Sequence, residues 1–296
     1  MRQKEKLGYI YAIGAFTFWG LVPIYFKMVS HISAFEVLAN RIIWSVVFLA
    51  VLLIITKQSK YLKNIFQNKK QLKMLFLSSS LVTTNWLIFI IAINTNQIVE
   101  ASFGYFINPL VNILLAFIFL KEKLNKAQSF AVALALFAVI YQIFTLKSFP
   151  FISLALAFSF AFYGLVRKKV NLVAMPGLFI ETLLMSPFAL FYMFYLSNTN
   201  QSHLHIAFDH TTLLLIFAGF ITVVPLAWFN AAATKIPYST LGFIQYIGPT
   251  LSFLLAIYLY NEPFDTNKFI SFVFIWIGLL IYTVDSLYKH KKVSIK

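Results

Sequence analysis

Four ionisable side chains interrupt long apolar runs, and they are the residues best able to do chemistry: Glu36, Arg41, Glu100 and Glu181. A charge inside hydrocarbon costs about 2.5–3.5 kcal/mol even on a lenient insertion scale, so each implies a partner, a watery cavity or a ligand. Glu36 and Arg41 stand five residues apart, roughly 140° around a helix, and do not face one another. Arg41 is therefore expected to meet Glu100 or an anionic group of a ligand. Glu36 and Glu181 recur at an offset of 145 and read as structural or coupling charges. The most polar run carries Glu100, Gly104, Asn108 and Asn112 at every fourth residue, with Tyr105 beside them. One helix face then presents carboxylate, amide and phenol groups. Pro109 removes a backbone donor from this run and is expected to kink it near Tyr105. A second run carries Gly242, Gln245, Tyr246 and Pro249. Interrupted helices at matching places point to a binding site, with Gly104, Pro109, Gly242 and Pro249 as hinges. The competing reading is that the amides and glycines glue helices together. Asn85, Trp86 and Trp228 lie in mid-run and add aromatic lining, so the expected binding set also includes Arg41, Glu100, Tyr105, Asn108, Gln245 and Tyr246.

Other chemistries lack their residues. The chain has no cysteine, so thiolate metal sites and thiol catalysis are excluded. There is no phosphate-binding loop for ATP, no His-Glu-x-x-His and no Gly-x-Ser-x-Gly, and no cofactor is expected. His203, His205, Asp209 and His210 cluster without helical or tight-turn spacing, so no metal is expected either. The rival reading is a membrane-embedded enzyme acting on a lipid or lipid-linked substrate, with Glu100 as general base. It wants a second catalytic group, and no clear candidate appears.

The elements that must position these residues are membrane helices. The 296 residues are 60% hydrophobic and 11% charged, with a mean hydropathy of +0.82, too apolar for a soluble domain of this length. Runs of about 20 residues predict ten spans, at 7–26, 35–55, 74–94, 99–120, 127–146, 149–166, 177–196, 212–233, 238–260 and 269–288. The first run is too long for a signal peptide and lacks a cleavage site, so it is expected to be retained. Twenty basic residues fall on one side of these spans and only Lys27, Lys147 and Lys268 on the other, which predicts cytoplasmic N- and C-termini. The net charge of +15 thus reports orientation and anionic lipid rather than nucleic acid. Residues 57–73 interleave six lysines with Tyr61, Leu62, Ile65 and Phe66, a stripe expected to lie on the anionic inner leaflet.

The chain also repeats itself. Phe16-Thr17-Phe18-Trp19-Gly20-Leu21-Val22 returns as Phe160-Ala161-Phe162-Tyr163-Gly164-Leu165-Val166, an offset of 144. Pro109 and Glu122 return together as Pro249 and Glu262 at an offset of 140. Each copy holds five spans, and an odd number turns the second copy upside down relative to the first. The expected fold is an all-α integral membrane protein of ten transmembrane helices in a 5+5 inverted repeat. Its copies would be residues 7–146 and 149–288, with short basic cytoplasmic tails at 1–6 and 289–296. Inverted repeats in a membrane mark alternating-access carriers. The expected function is therefore secondary transport of a small organic metabolite or drug-like solute. Spans 1, 3, 4, 6, 8 and 9 should line the path, with spans 5 and 10 outside it. No pattern sets an oligomeric state.

The chain resembles the RarD family, in the EamA branch of the drug/metabolite transporter superfamily. The resemblance rests on Phe18-Trp19-Gly20, Asn40–Ser45, Asn85–Phe89, the long stretch Glu100–Asn112, Phe158–Lys169 and Leu241–Thr250. It implies a ten-helix permease of the bacterial cytoplasmic (inner) membrane, with a central cavity for a small-molecule solute. One departure is Asn40, where the family pattern has a histidine, so this chain has no titrating group there.

Overall fold

The computed structural model describes residues 3–121, 123–146, 149–204, 209–233, 235–236 and 244–293. Helices α1 (Gln3–Met28) and α2 (Ala34–Ile55) are followed by a single 3-10 turn (Ser59–Tyr61) and the short α3 (Leu62–Gln67). Then come α4 (Lys69–Asn94), α5 (Ile98–Leu120), α6 (Lys126–Leu146), α7 (Phe151–Val170), α8 (Ala174–Asn198) and α9 (His210–Ala233). The chain closes with α10 (Ile247–Leu254), a π-helical turn (Leu255–Leu259) and α11 (Thr266–Val293). Among the described residues nine helices are long and apolar enough to cross a membrane, and Ile247–Leu259 is a shorter apolar helix. The expected run at 238–260 is thus described only from Ile244 onward.

Polar contacts identify the two ends of the bundle. The chain starts at the lower end, where Asn125 Nδ2 donates to Asp285 at 2.7 Å. At the upper end Lys27 Nζ, closing α1, donates to Asn96 between α4 and α5. The linker stripe folds inward at Ile65, 3% exposed among Leu75, Val166, Val170 and Ile180, with Leu62 partly buried against the same cluster, while Tyr61 and Phe66 stay exposed.

Packing repeats in pairs. Helix α5 packs on α7 as α10 packs on α1, α4 on α7 as α9 on α1, and α4 on α8 as α9 on α2. Helix α2 meets α8, and α6 meets α11, each its own counterpart in the other copy. The α6–α11 pair sits at the edge, joined to the rest chiefly through α5. Left-handed helix ends recur as well: Lys57 (φ 55°) and Asn200 (φ 54°) follow α2 and α8, and Lys121 (φ 55°) and Asn261 (φ 51°) follow α5 and the π turn. A lysine in this region is uncommon, so both copies turn the chain at fixed places whatever side chain stands there.

Candidate functional site

Arg41 is a buried charge with no carboxylate partner among the described residues. It is 7% exposed on α2, and its guanidinium lies 4.2 Å from the centre of the Trp86 ring on α4 and 5.6 Å from that of Phe26 on α1. Its Nε donates to Thr222 Oγ1 on α9 at 2.8 Å, and the Thr222 hydroxyl donates onward to the Ala218 carbonyl at 3.0 Å. The described ion pairs join Arg167 to Glu181 (3.6 Å), His203 to Glu36 (2.8 Å) and Lys268 to Glu100 (3.5 Å), and none includes Arg41. A desolvated cation–π contact is worth about 2 kcal/mol, whereas burying a charge costs several kcal/mol per ion. The rings alone do not offset that cost. The two Nη atoms are not among the sealed polar atoms that lack a partner, so the fork keeps contact with open space.

Glu100 is not the partner expected for Arg41. It accepts from Ser153 Oγ at 2.8 Å on α7 and from Gln142 Nε2 at 3.2 Å on α6, and it pairs with Lys268 at the start of α11. Those contacts tie four helices together at the upper end. A carboxylate engaged by an ammonium, an amide and a hydroxyl is committed to holding helices together.

The polar ladder of α5 bonds to α7, and none of the hydrogen bonds among the described residues joins it to α10. A Cβ added at Gly104 would stand 2.5 Å from the Ser153 carbonyl oxygen, so the glycine sits in a close helix–helix contact. Asn108 donates to the Ala157 carbonyl at 2.9 Å and accepts from Asn112 at 3.1 Å. Asn85 donates to the Leu156 carbonyl and to Ser159 Oγ, each at 3.0 Å, and accepts from the Tyr105 hydroxyl at 3.2 Å. Gly104, Asn85 and Asn108 thus stand in the contacts that α4 and α5 make with α7.

Helix α5 runs unbroken from Ile98 to Leu120 with Pro109 inside it. Pro249 differs: it is the third residue of α10, after a turn at Gln245 and Tyr246. A missing N–H in the first helical turn loses no ladder bond, whereas Pro109 removes one inside α5. Gly242 lies outside the described residues. Tyr246 stacks on Phe106 of α5 at 6.4 Å. Trp228 is 37% exposed beside Phe18, apart from the Arg41 cage. Glu36 accepts from the His203 N–H at 2.7 Å, and Glu181 accepts from Ser78 and, at 3.2 Å, from Tyr163. Each buried glutamate thus fastens the start of its helix to a segment from the other copy.

One matched pair differs sharply between the copies. Gly20 of α1 and Ser252 of α10 are buried, and Ser252 Oγ donates to the Gly20 carbonyl at 3.1 Å. Their counterparts Gly164 of α7 and Asn112 of α5 are also neighbours, with a Cβ built at Gly164 lying 4.0 Å from Asn112 Oδ1, yet both are exposed. They continue the stripes that are buried higher up at Ala157 and Asn108, and Phe160, 39% exposed, touches Tyr105 inside the bundle.

The profile of the EamA-like transporter family matches residues 6–144 and again 149–284. The chain belongs to this family. It is 46% identical over 292 residues to "Protein RarD" of Escherichia coli (strain K12), covering 99% of both chains. It is 40% identical over 295 residues to "Uncharacterized transporter YojE" of Bacillus subtilis (strain 168), covering 98% of both. A solved crystal structure superposes with a TM-score of 0.59 at 13% identity, over 95% of this chain and 98% of the other. At that identity the likeness concerns the fold alone.

Sequence reasoning about this EamA-like transporter missed three participants. Thr222 is one threonine in an apolar run, and Phe26 is one of 34 phenylalanines, so neither carries a local signal. Glu262 stood out only through its repeated distance from a proline. Its two carboxylate oxygens accept the Ile98 and Val99 N–H groups, each at 2.8 Å, and so cap α5 from the segment that follows the π turn.

Proposed function

We propose that this protein is a secondary permease that moves a small organic solute across the cytoplasmic membrane by alternating access. Its two five-helix copies, residues 7–146 and 149–288, would lie in opposite orientations. The basic-residue distribution makes the lower end cytoplasmic. The observation that carries the reading is the unequal pair: Asn112 and Gly164 exposed toward the lower end, Ser252 and Gly20 sealed toward the upper end. In an inverted repeat the two access states are the same packing with the copies exchanged. One copy open and the other closed is what such a carrier must look like at one extreme of its cycle. Here the extreme faces inward. Residues 57–73 would rest on the anionic inner leaflet.

The test uses the cysteine-free background. A cysteine at Asn112 should react with an impermeant maleimide in inside-out vesicles, and one at Ser252 should stay unreactive in right-side-out vesicles. A protected Asn112 position together with a reactive Ser252 position would overturn the assignment. If both positions are inert from both faces, the carrier reading itself falls.

A further inference from the structure

We infer that Arg41 is the anchor of the solute site and that the transported solute is a small organic monoanion, its carboxylate held by the guanidinium fork and its apolar body lying against aromatic side chains. The inference rests on the permease reading above and names the substrate class it leaves open.

Charge gives the first line of argument. Arg41 is more than nine-tenths buried in mid-bundle, with no anionic partner among the described ion pairs. The carboxylates that could have reached it are engaged elsewhere: Glu36 by His203, and Glu100 by Lys268. The site therefore carries one net positive charge and takes one negative charge to neutralise it. A dianion would leave an uncompensated charge of opposite sign.

Geometry gives the second. Thr222 fixes Nε, because its own proton is committed to the Ala218 carbonyl and its oxygen is left to accept. Trp86 and Phe26 hold the guanidinium plane. None of the hydrogen bonds among the described residues engages the other four guanidinium N–H groups, and that preset fork matches two oxygens of a carboxylate. The nearest phenols cannot substitute for an anion: Tyr25 donates to the Leu214 carbonyl at 2.8 Å, and Tyr105 donates to Asn85.

The surroundings give the third. A run of rings in contact leads from the Arg41 cage toward the lower end. Phe26 touches Phe89 at 5.9 Å, Phe89 touches Tyr105 at 5.7 Å, and Tyr105 touches the exposed Phe160 at 6.3 Å. Phe26 and Phe89 are buried, so Tyr105 and Phe160 are the rings of this run that offer aromatic surface to the rest of the solute. Among the described residues no charged side chain belongs to it.

The experiment is a binding titration of the purified full chain in lipid nanodiscs, read by intrinsic tryptophan fluorescence. The probes are benzoate, phenyl phosphate and the neutral isostere benzamide. Benzoate should bind, with benzamide about 10- to 150-fold weaker, the range expected for losing a hydrogen-bonded charge. Phenyl phosphate, largely a dianion near neutral pH, should bind more weakly than benzoate, and equal or tighter binding would overturn the monoanion assignment. Arg41→Gln should abolish the preference for anion over benzamide. Equal affinity of the parent for benzoate and benzamide overturns the inference without needing any variant to fold. A folded Arg41→Gln protein that keeps the preference also overturns it. Repeating the titration with and without phosphatidylglycerol separates a free solute from a lipid headgroup: benzoate binding lost only in the anionic lipid would assign the fork to lipid and refute the solute role. The cysteine labelling at Asn112 and Ser252 does not depend on these results, so the permease reading can stand where this inference fails.

Discussion

Replacing Glu262 by glutamine tests whether the upper end is a gate. Both oxygens of this carboxylate accept backbone N–H groups at the start of α5, and Ile98 and Val99 are 0% and 2% exposed, so water cannot take its place. Glutamine keeps one acceptor and turns an NH2 toward the second N–H. One buried N–H left unpaired costs about 1–3 kcal/mol, and removing a negative charge from a helix N-terminus costs about 0.3–1 kcal/mol more. Closure of the upper end should weaken by about 1.3–4 kcal/mol in total. At about 1.36 kcal/mol per tenfold, the closed-to-open equilibrium shifts by roughly 10- to 900-fold. A cysteine at Ser252 reports it, as the rate of reaction with impermeant maleimide in right-side-out vesicles. A labelling rate within threefold of the parent would refute the gate, and lost thermal stability at an unchanged rate would show that Glu262 only caps a helix.

Gly104→Ala places a methyl group 2.5 Å from the Ser153 carbonyl oxygen and should destabilise the protein by about 1–3 kcal/mol in a denaturant titration. Gly164→Ala, whose nearest neighbouring atom is 4.0 Å away, should be tolerated, changing stability by less than about 0.5 kcal/mol; equal effects would refute the contrast. Glu181→Ala leaves Arg167 without its carboxylate and should destabilise by about 3 kcal/mol, the low end for a broken buried pair because the Arg167 side chain keeps 15% exposure. Parent-like stability in Glu181→Ala would show that solvent already satisfies Arg167.

Periodicity made the helices and the polar face of α5 legible, because both are one-dimensional patterns. It could not say which helix that face would meet, since spacing fixes a direction around one axis and not the neighbour found there. Hence Asn108 was read toward the second glycine–proline run, whereas it bonds to Ala157 of α7. Arg41 was legible as a buried charge, but its hydrogen-bond partner Thr222 stands 181 residues away, beyond any local signal. Pro109 and Pro249 looked equivalent in sequence. Their roles separate because one stands mid-helix and the other in a first turn, a distinction set by where a helix starts.

The amide bonds from Asn85 and Asn108 to the α7 backbone carry a consequence for how the chain is cut into moving parts. They fasten the first helix of the second copy to α4 and α5 of the first, just as Ser252 fastens α1 to α10. The mechanical units are then α4–α5–α7 and α9–α10–α1, each assembled from both halves of the chain. Covalent halves and rigid bodies do not coincide; they are exchanged at their first helices. Relative movement therefore falls on the short connections 29–33 and 171–173, which join α1 to α2 and α7 to α8 across the boundary between the bodies. Neither half can be a carrier alone, since each would lack the helix its own amides are built to hold.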